Sequence, residues 1–168
     1  ILAMPYLLML PGFVDEIFGG GPEELGILIS VGGVGSLIGE LTLASLPPKR
    51  RGLMLLSSGL LMGVALIGFS SSPTIWIGGG FMFFVGVGSA GRQALGNVLL
   101  QSYTENAYRG RVMSIYMTQI SLMSLGAFFI GIIAEAVGAE WALGGMSALL
   151  VVMSVGFFAF SPLLRRLD

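Results

Sequence analysis

The stretch IWIGGGFMFFVGVGSAGRQALGNVLLQ, residues 75–101, is one apolar run that contains a single charged residue, Arg92. A helix of this length extends roughly 40 Å at a rise of about 1.5 Å per residue, which exceeds the ~30 Å hydrocarbon core of a bilayer. The run also lacks the alternation of apolar and polar residues that a strand would show, and lipid offers no partner for unpaired backbone groups. The stretch therefore predicts a transmembrane helix.

Composition extends this prediction to the whole chain. Hydrophobic residues make up 55% of the sequence, charged residues only 10%, and the mean hydropathy is +0.93. Soluble domains carry roughly 25% charged residues, so this chain is predicted to have the bilayer as its solvent. The net charge of −1 gives no indication of the basic surface that nucleic-acid binding requires. Histidine and cysteine are both absent, which excludes imidazole bases, thiolate metal sites and disulfides.

Five more apolar runs accompany the stretch at residues 75–101, and polar or charged connectors separate the six runs. The run at the start of the chain, Ile1–Phe13, is too short to cross a bilayer. We therefore expect it to be the end of a longer helix and the chain to be a fragment. The sequence thus predicts an all-α, polytopic bundle of six spans with the first truncated. The six runs are Ile1–Phe13, Leu25–Leu46, Leu53–Phe69, Ile75–Gln101, Val112–Ala134 and Trp141–Leu164.

The basic residues lie in alternate connectors, which predicts the orientation. Cytoplasmic loops are enriched in lysine and arginine, so the basic loops and the C-terminus are predicted to be cytoplasmic in a plasma (inner) membrane. These residues are Lys49, Arg50, Arg51, Arg109, Arg111, Arg165 and Arg166.

The runs divide into two units of three helices, residues 1–71 and 74–164. A unit that crosses the membrane an odd number of times and is then repeated must be inverted. Inverted repeats are a common architecture of secondary transporters. We therefore expect two inverted three-helix repeats.

The glycines of the fourth run match a nucleotide-binding fingerprint, Gly86-x-Gly88-x-x-Gly91. That fingerprint requires a strand before it and a helix after it, whereas here one apolar run surrounds it. Small residues spaced by four, such as Gly35 and Gly39 in the second run, are typical of close helix packing in membranes. We interpret these glycines as packing surfaces and predict no cofactor.

Catalysis is not indicated. Ser89 follows two of these glycines but has no histidine base, and the single lysine, Lys49, is in a loop. Two facing intramembrane aspartates are absent too, because Asp15 and Asp168 lie outside the apolar runs. The chain is therefore predicted not to be an enzyme and to hold no metal.

A polar face follows the fourth run, with side chains four residues apart at Ser89, Gln93, Asn97 and Gln101. Polar groups on one side of a membrane helix face protein or a water-filled cavity. The sequence leaves a cavity lining and dry helix-to-helix hydrogen bonds both open. The fifth run has a weaker stripe, and we include Thr118 in the predicted lining, although hydroxyls can also bond back to their own helix.

Two charges lie inside apolar runs. Arg92 is about 14 Å and Glu40 about 9 Å from the predicted cytoplasmic ends of their helices. Since an unpaired buried charge is costly, we predict that the two form a structural or gating pair. Glu40 could instead extend to the interface.

The stretch LGNVLLQSYTENAYRGRVMSIYMTQISLMSLGAFFIGIIAEAVG, residues 95–138, resembles the last third of a major facilitator superfamily transporter. It is most similar to the bacterial drug- and siderophore-exporter branch, where a glycine-rich helix ends in glutamine before an Arg-Gly-Arg link. Here these are Gln101 and Arg109-Gly110-Arg111. Upstream, GSLIGELTLASLPPKRRG is similar to the family's basic loop, without its Asp-Arg pair.

The resemblance implies that residues 1–168 are the C-terminal six-helix half of a secondary transporter. Its partners would be the lipid bilayer, a small-molecule substrate and an N-terminal six-helix half. The implied activity is gradient-driven export of a small amphiphilic molecule by alternating access. A non-transporting membrane interaction or scaffold protein is the alternative. Physical reasoning adds that Gly110 lets the chain turn, while Arg109 and Arg111 can contact anionic lipid or cap helix ends.

Overall fold

The computed structural model describes residues 6–47 and 50–160, except for the side chains of Ile120 and Phe160. Within these ranges the chain forms six helices and no strand, which confirms the all-α class. The helices are α1 (Tyr6–Phe18), α2 (Pro22–Ser45), α3 (Arg51–Ser70), α4 (Ile75–Tyr103), α5 (Arg109–Val137) and α6 (Ala139–Phe160).

The helix α4 is at the centre of the bundle. It packs extensively against α2 and against α3, and α3 in turn packs against α6. Both α1 and α5 make far smaller contacts, α5 mainly with α6 and α1 with α2, α5 and α6. The bundle therefore has a closely packed interior of α2, α3 and α4, with α6 against α3 and with α1 and α5 at the margin. The inverted-repeat organisation stays a prediction.

Among the residues that the structure describes, the apolar core joins every helix except α5. Three phenylalanine rings mark it: Phe13 lies 4.9 Å from Phe69 and 5.5 Å from Phe18 between ring centroids. These distances are typical of favourable aromatic pairs. The other buried members of this core are Tyr6, Leu10, Val14, Leu28, Met62, Ala65, Leu66, Met82, Val85, Ala139 and Leu143.

Four of the described helices are long and apolar enough to cross a membrane: α2, α3, α5 and α6. The described part of α1 has only 13 residues. The helix α4 is long enough at 29 residues, and its sequence contains Arg92, several glycines and polar side chains, all of which lower its hydropathy. Four of the six predicted spans are thus supported. The truncated first span and the span at α4 stay predictions.

Several helices extend beyond the apolar runs. The predicted loop from Val14 onward is wrong at its start, because α1 continues to Phe18. Its last turn is amphipathic: Val14 is buried and Asp15 and Glu16 are exposed, so the acidic residues coexist with helix. After it, the Glu24 carboxylate accepts a hydrogen bond of 2.7 Å from the Gly21 N–H, at the start of α2.

The predicted turn at Gly110 is also wrong, because α5 already begins at Arg109 and Gly110 lies in its first turn. The chain instead leaves helix between Thr104 and Tyr108. A sharp glycine turn occurs at the other end of α5, where Gly138 has φ +95° and its N–H donates to the Ala134 carbonyl at 2.8 Å. Only glycine adopts this backbone region readily.

Candidate functional site

The glycines of α2 and α4 form a seam in which the two backbones touch. A methyl group on Gly86 would overlap the backbone of Gly32, and one on Gly35 would overlap the Phe83 carbonyl. The Ser36 hydroxyl donates to the Gly86 carbonyl at 3.2 Å across this seam. Small residues therefore permit the contact, as the spacing in α2 predicted.

The next glycines of α4 face a different helix. A methyl group on Gly88 would lie 2.8 Å from both the Met62 backbone nitrogen and the Ser58 carbonyl oxygen of α3. One on Gly91 would meet the Ser58 side chain. Since residues two apart differ by about 200° around a helix, Gly86 and Gly88 serve opposite neighbours. The packing interpretation of the fingerprint glycines is confirmed.

The predicted polar face of α4 lies beside this seam. The Ser89 hydroxyl donates to the Gly86 carbonyl at 3.3 Å, and the Asn97 amide donates to the Gln93 carbonyl at 3.1 Å, both within α4. The Gln93 side chain is exposed, whereas Ser89 and Asn97 are half-buried. The structure thus places all three on one accessible side, and their role as a cavity lining stays a prediction.

The stripe on α5 is exposed and bonded to its own backbone. The Thr118 hydroxyl donates to the Ser114 carbonyl at 3.0 Å, and the Ser114 hydroxyl donates to the Arg111 carbonyl at 2.8 Å. Their hydrogen-bonding needs are met without a ligand. Whether Thr118 lines a cavity also stays a prediction.

The two intramembrane charges have different surroundings. Glu40 is exposed and lines a cavity of about 530 Å³ between α2, α3 and α4, together with Arg51, Met54, Leu95 and others. Arg92 is half-buried, and its Nε atom is buried without a hydrogen-bond partner. No ion pair joins Glu40 to Arg92 among the described residues, so the pairing stays a prediction that this conformation does not realise.

The basic motif divides between two helix starts. Lys49 lies outside the described residues, as do Arg165 and Arg166. Arg50 precedes α3 with a left-handed backbone, φ 56°, and Arg51 is its first residue.

The Arg-Gly-Arg link begins α5. The Arg109 guanidinium donates to the Gln101 carbonyl at 3.2 Å, in the last turn of α4. Arg109 thus caps the end of α4 in this structure, which is one of the two roles that the sequence left open, whereas Arg111 is exposed.

The sequence patterns did not identify two tyrosines, one in the apolar core and one that faces α4. Tyr6 of α1 is 7% exposed and belongs to the apolar core. The Tyr116 hydroxyl of α5 lies 3.6 Å from the position that a Cβ on Gly96 would take. Gly96 is one turn beyond Arg92 on the same face of α4. Tyr116 does stand between Ser114 and Thr118 in the sequence, which could have drawn attention to it.

Comparison with known proteins agrees with this architecture. The chain is 27% identical over 169 residues to a protein named staphyloferrin A transporter from Staphylococcus aureus (strain NCTC 8325 / PS 47), with 97% of this chain and 41% of the relative covered. The chain therefore spans less than half the length of that curated relative. No solved structure matches the present chain. The family model of the Major Facilitator Superfamily matches residues 2–167, and the chain belongs to that superfamily of membrane transporters.

Proposed function

We propose that this chain is one six-helix half of a gradient-driven secondary transporter, which exports a small amphiphilic molecule by alternating access. The observation that carries the proposal is the exposed polar side of α4, centred on Gln93, beside a seam of backbone contacts. Polar side chains on a membrane helix that do not face lipid are typical of substrate pathways.

The seam suggests what moves. Gly86 joins α4 to α2, and Gly88 and Gly91 join it to α3, so these three helices have little room to slide past one another. We expect them to rock as one body against a second bundle, around a site near the middle of the membrane. The polar side of α4 would then be presented alternately to the two sides.

The relative supports a small-molecule substrate, because its name states that it transports staphyloferrin A. We extend this to the present chain as a proposal only, together with location in the plasma membrane and a cytoplasmic C-terminus. The basic starts of α3 and α5 support that orientation by the enrichment of arginine in cytoplasmic loops.

The test is flux in everted membrane vesicles that contain the whole natural protein. Staphyloferrin A and the cationic dye ethidium would be offered, with the membrane energised and then de-energised by a protonophore. We expect accumulation of at least one probe that stops when the gradient collapses. Vesicles without the protein are the control, and an absence of gradient-dependent movement of either probe contradicts the proposal.

A non-transporting membrane scaffold is the second candidate. It is favoured by the bonding of Ser89, Asn97 and Thr118 to their own helices, since such groups need no water. In a scaffold the side chain of Gln93 would be covered by protein. A cysteine at residue 93 would then be unreactive toward a water-soluble maleimide, whereas a transporter predicts that it is labelled.

A further inference from the structure

A cavity of about 460 Å³ lies between the end of α3 and the start of α6, at the surface of the bundle. A methyl group on Gly63 of α3 would meet the Val151 side chain of α6. One on Gly144, in the second turn of α6, would lie 3.0 Å from the Ser70 hydroxyl at the end of α3. The two helices therefore pack antiparallel, and both can span a membrane by length and composition. The cavity is thus at the membrane surface opposite the basic starts of α3 and α5.

The polar side chains of this cavity offer mainly hydrogen-bond acceptors. The hydroxyls of Ser70 and Ser71 both donate to the Ile67 carbonyl at 2.9 Å, so their oxygens can only accept further bonds. The Glu140 carboxylate is exposed and forms no ion pair with a described residue, and an ionised carboxylate is acceptor-only. No lysine or arginine is among the described residues that line the cavity. A ligand that complements these side chains is a cation with several N–H donors.

Donors lie at the start of α6. The Trp141 side chain lines the cavity and is exposed, and its indole N–H is a donor only. The first backbone N–H groups of a helix have no partner within that helix. A helix start favours an anion, whereas a helix end such as that of α3 favours a cation. The cavity is therefore suited to a ligand that carries an ammonium and an anion side by side.

An apolar surface continues from the cavity toward the middle of both helices. Ile67 of α3 and Ala148 of α6 belong to the lining. Val64 lies one turn from Ile67, and Val152 lies one turn from Ala148 on the same face of its helix; both valines are exposed. A methyl group on Gly145 would meet no atom within 4 Å, so the lining also has open space. Polar groups at helix ends beside an apolar track match the shape of a phospholipid, whereas a water-soluble amine would leave the track unused.

We propose that this cavity is a binding site for the headgroup of an aminophospholipid of the phosphatidylethanolamine class. The primary ammonium donates to the Glu140 carboxylate and to the Ser71 hydroxyl oxygen through charge-assisted hydrogen bonds. The phosphate accepts from the Trp141 indole N–H and from the start of α6, and one acyl chain follows Val64 and Val152. The bound lipid bridges α3 and α6. The inference goes beyond the proposed function, because it requires neither a substrate nor transport.

The test is native mass spectrometry of the whole natural protein in detergent, which resolves the number of lipids bound. Dioleoyl phospholipids with ethanolamine, choline or glycerol headgroups are titrated in separate samples. We expect one ethanolamine lipid to bind with a Kd about tenfold below those of the other two, equivalent to ~1.4 kcal/mol. The reason is that choline has no N–H donor and glycerol has no cation. Soluble phosphoethanolamine, which lacks the acyl chains, should bind far more weakly than the lipid.

Two variants test the site in different ways. Glu140→Gln removes the charge and keeps the size of the side chain, so it should raise the Kd of the ethanolamine lipid about tenfold and leave that of the glycerol lipid unchanged. Gly145→Leu fills the open space of the lining and should weaken binding of the ethanolamine lipid without a change of charge. The matched control is Glu23→Gln, an exposed carboxylate in the first turn of α2 that does not line this cavity, and it should leave every Kd unchanged.

The proposal is overturned if wild type and Glu140→Gln bind the ethanolamine lipid equally, or if the wild type binds the three lipids equally. Soluble phosphoethanolamine that binds as tightly as the lipid would also contradict it and would indicate a site for a water-soluble amine. An equal loss in Glu23→Gln would mean that acidic residues attract this lipid only through the overall charge of that membrane surface.

Discussion

The helices α4 and α5 have the same length, 29 residues each, and follow one another along the chain, yet they are packed in opposite ways. Nine residues of α4 are buried, including Gly86, Gly88 and Gly91. In α5 only Gly126 and Ile130 are buried among the side chains that the structure describes. Large apolar residues of α5 are exposed instead, such as Ile115 at 73% and Phe128 at 63%.

The difference teaches that apolarity and packing are separate properties in a membrane protein. The helix α5 is among the four helices whose most hydrophobic stretch is apolar enough to span a membrane, whereas glycines and polar side chains interrupt the apolar residues of α4. Lipid solvates exposed apolar side chains, so α5 gains little by burying them, whereas α4 is held by backbone contact through its glycines. The glycine-rich helix is the one that organises the bundle.

Among the substitutions that test this difference between α4 and α5, Gly86→Ala should have the largest effect on stability. The new methyl group would overlap the Gly32 backbone of α2, and a backbone cannot rotate away as a side chain can. Overpacking of this kind costs about 3 kcal/mol, so we expect a strong loss of thermal stability in detergent, measured on the whole protein by its unfolding temperature.

Gly131→Ala is the matched control, because a methyl group at this glycine of α5 would meet no atom within 4 Å. It should leave the unfolding temperature unchanged or slightly raised. Equal losses in the two variants would show that α4 is not packed more tightly than α5, and the comparison would fail.

The sequence predicted the seam but not its partners. The spacing of Gly35 and Gly39 identifies a small face on α2, and the glycines of α4 indicate that this helix also offers small surfaces for packing. Which helix each face contacts depends on how the bundle closes, and hydropathy holds no information on that. The helix ends also differ from the ends of the predicted apolar runs: α1 extends to Phe18 and α5 begins at Arg109. The reason is that an amphipathic turn and a basic turn continue these helices beyond the apolar residues.

The candidate site could also be predicted only in part, because the sequence shows spacing along one helix but not the contacts between helices. The spacing of Ser89, Gln93 and Asn97 places them on one side of α4 from the sequence alone. The approach of the Tyr116 hydroxyl of α5 to Gly96 of α4 depends on how two helices face each other. No local pattern predicts such a meeting.

The combined variant Gln93→Leu/Asn97→Leu should have the next largest effect. Replacing amides by isobutyl groups removes polar contacts to a hydrated substrate while keeping the helix apolar, so we expect the initial rate of flux to fall about tenfold, equivalent to ~1.4 kcal/mol. The unfolding temperature should change little. The rate would be measured in everted vesicles with the probe that the wild type moves.

The control is Thr42→Val/Ser45→Ala on α2, whose exposed hydroxyls also bond to their own helix. Its flux should match the wild type. Normal flux by Gln93→Leu/Asn97→Leu would remove these residues from the cavity lining and leave α4 as a purely structural helix.

Arg109→Gln should have the smallest effect, and it tests a polar link between α4 and α5. The Arg109 guanidinium donates to the Gln101 carbonyl at 3.2 Å and so ties the start of α5 to the end of α4. Because this bond is exposed, its loss should cost only about 0.5 kcal/mol and lower the unfolding temperature slightly. Arg111→Gln, which removes an exposed arginine two residues away, should leave it unchanged. Hydrogen exchange of the amides in the first turns of α5 would rise in Arg109→Gln alone if α4 holds α5 at this point, and equal exchange in the two variants would mean that α5 is held by α6 instead.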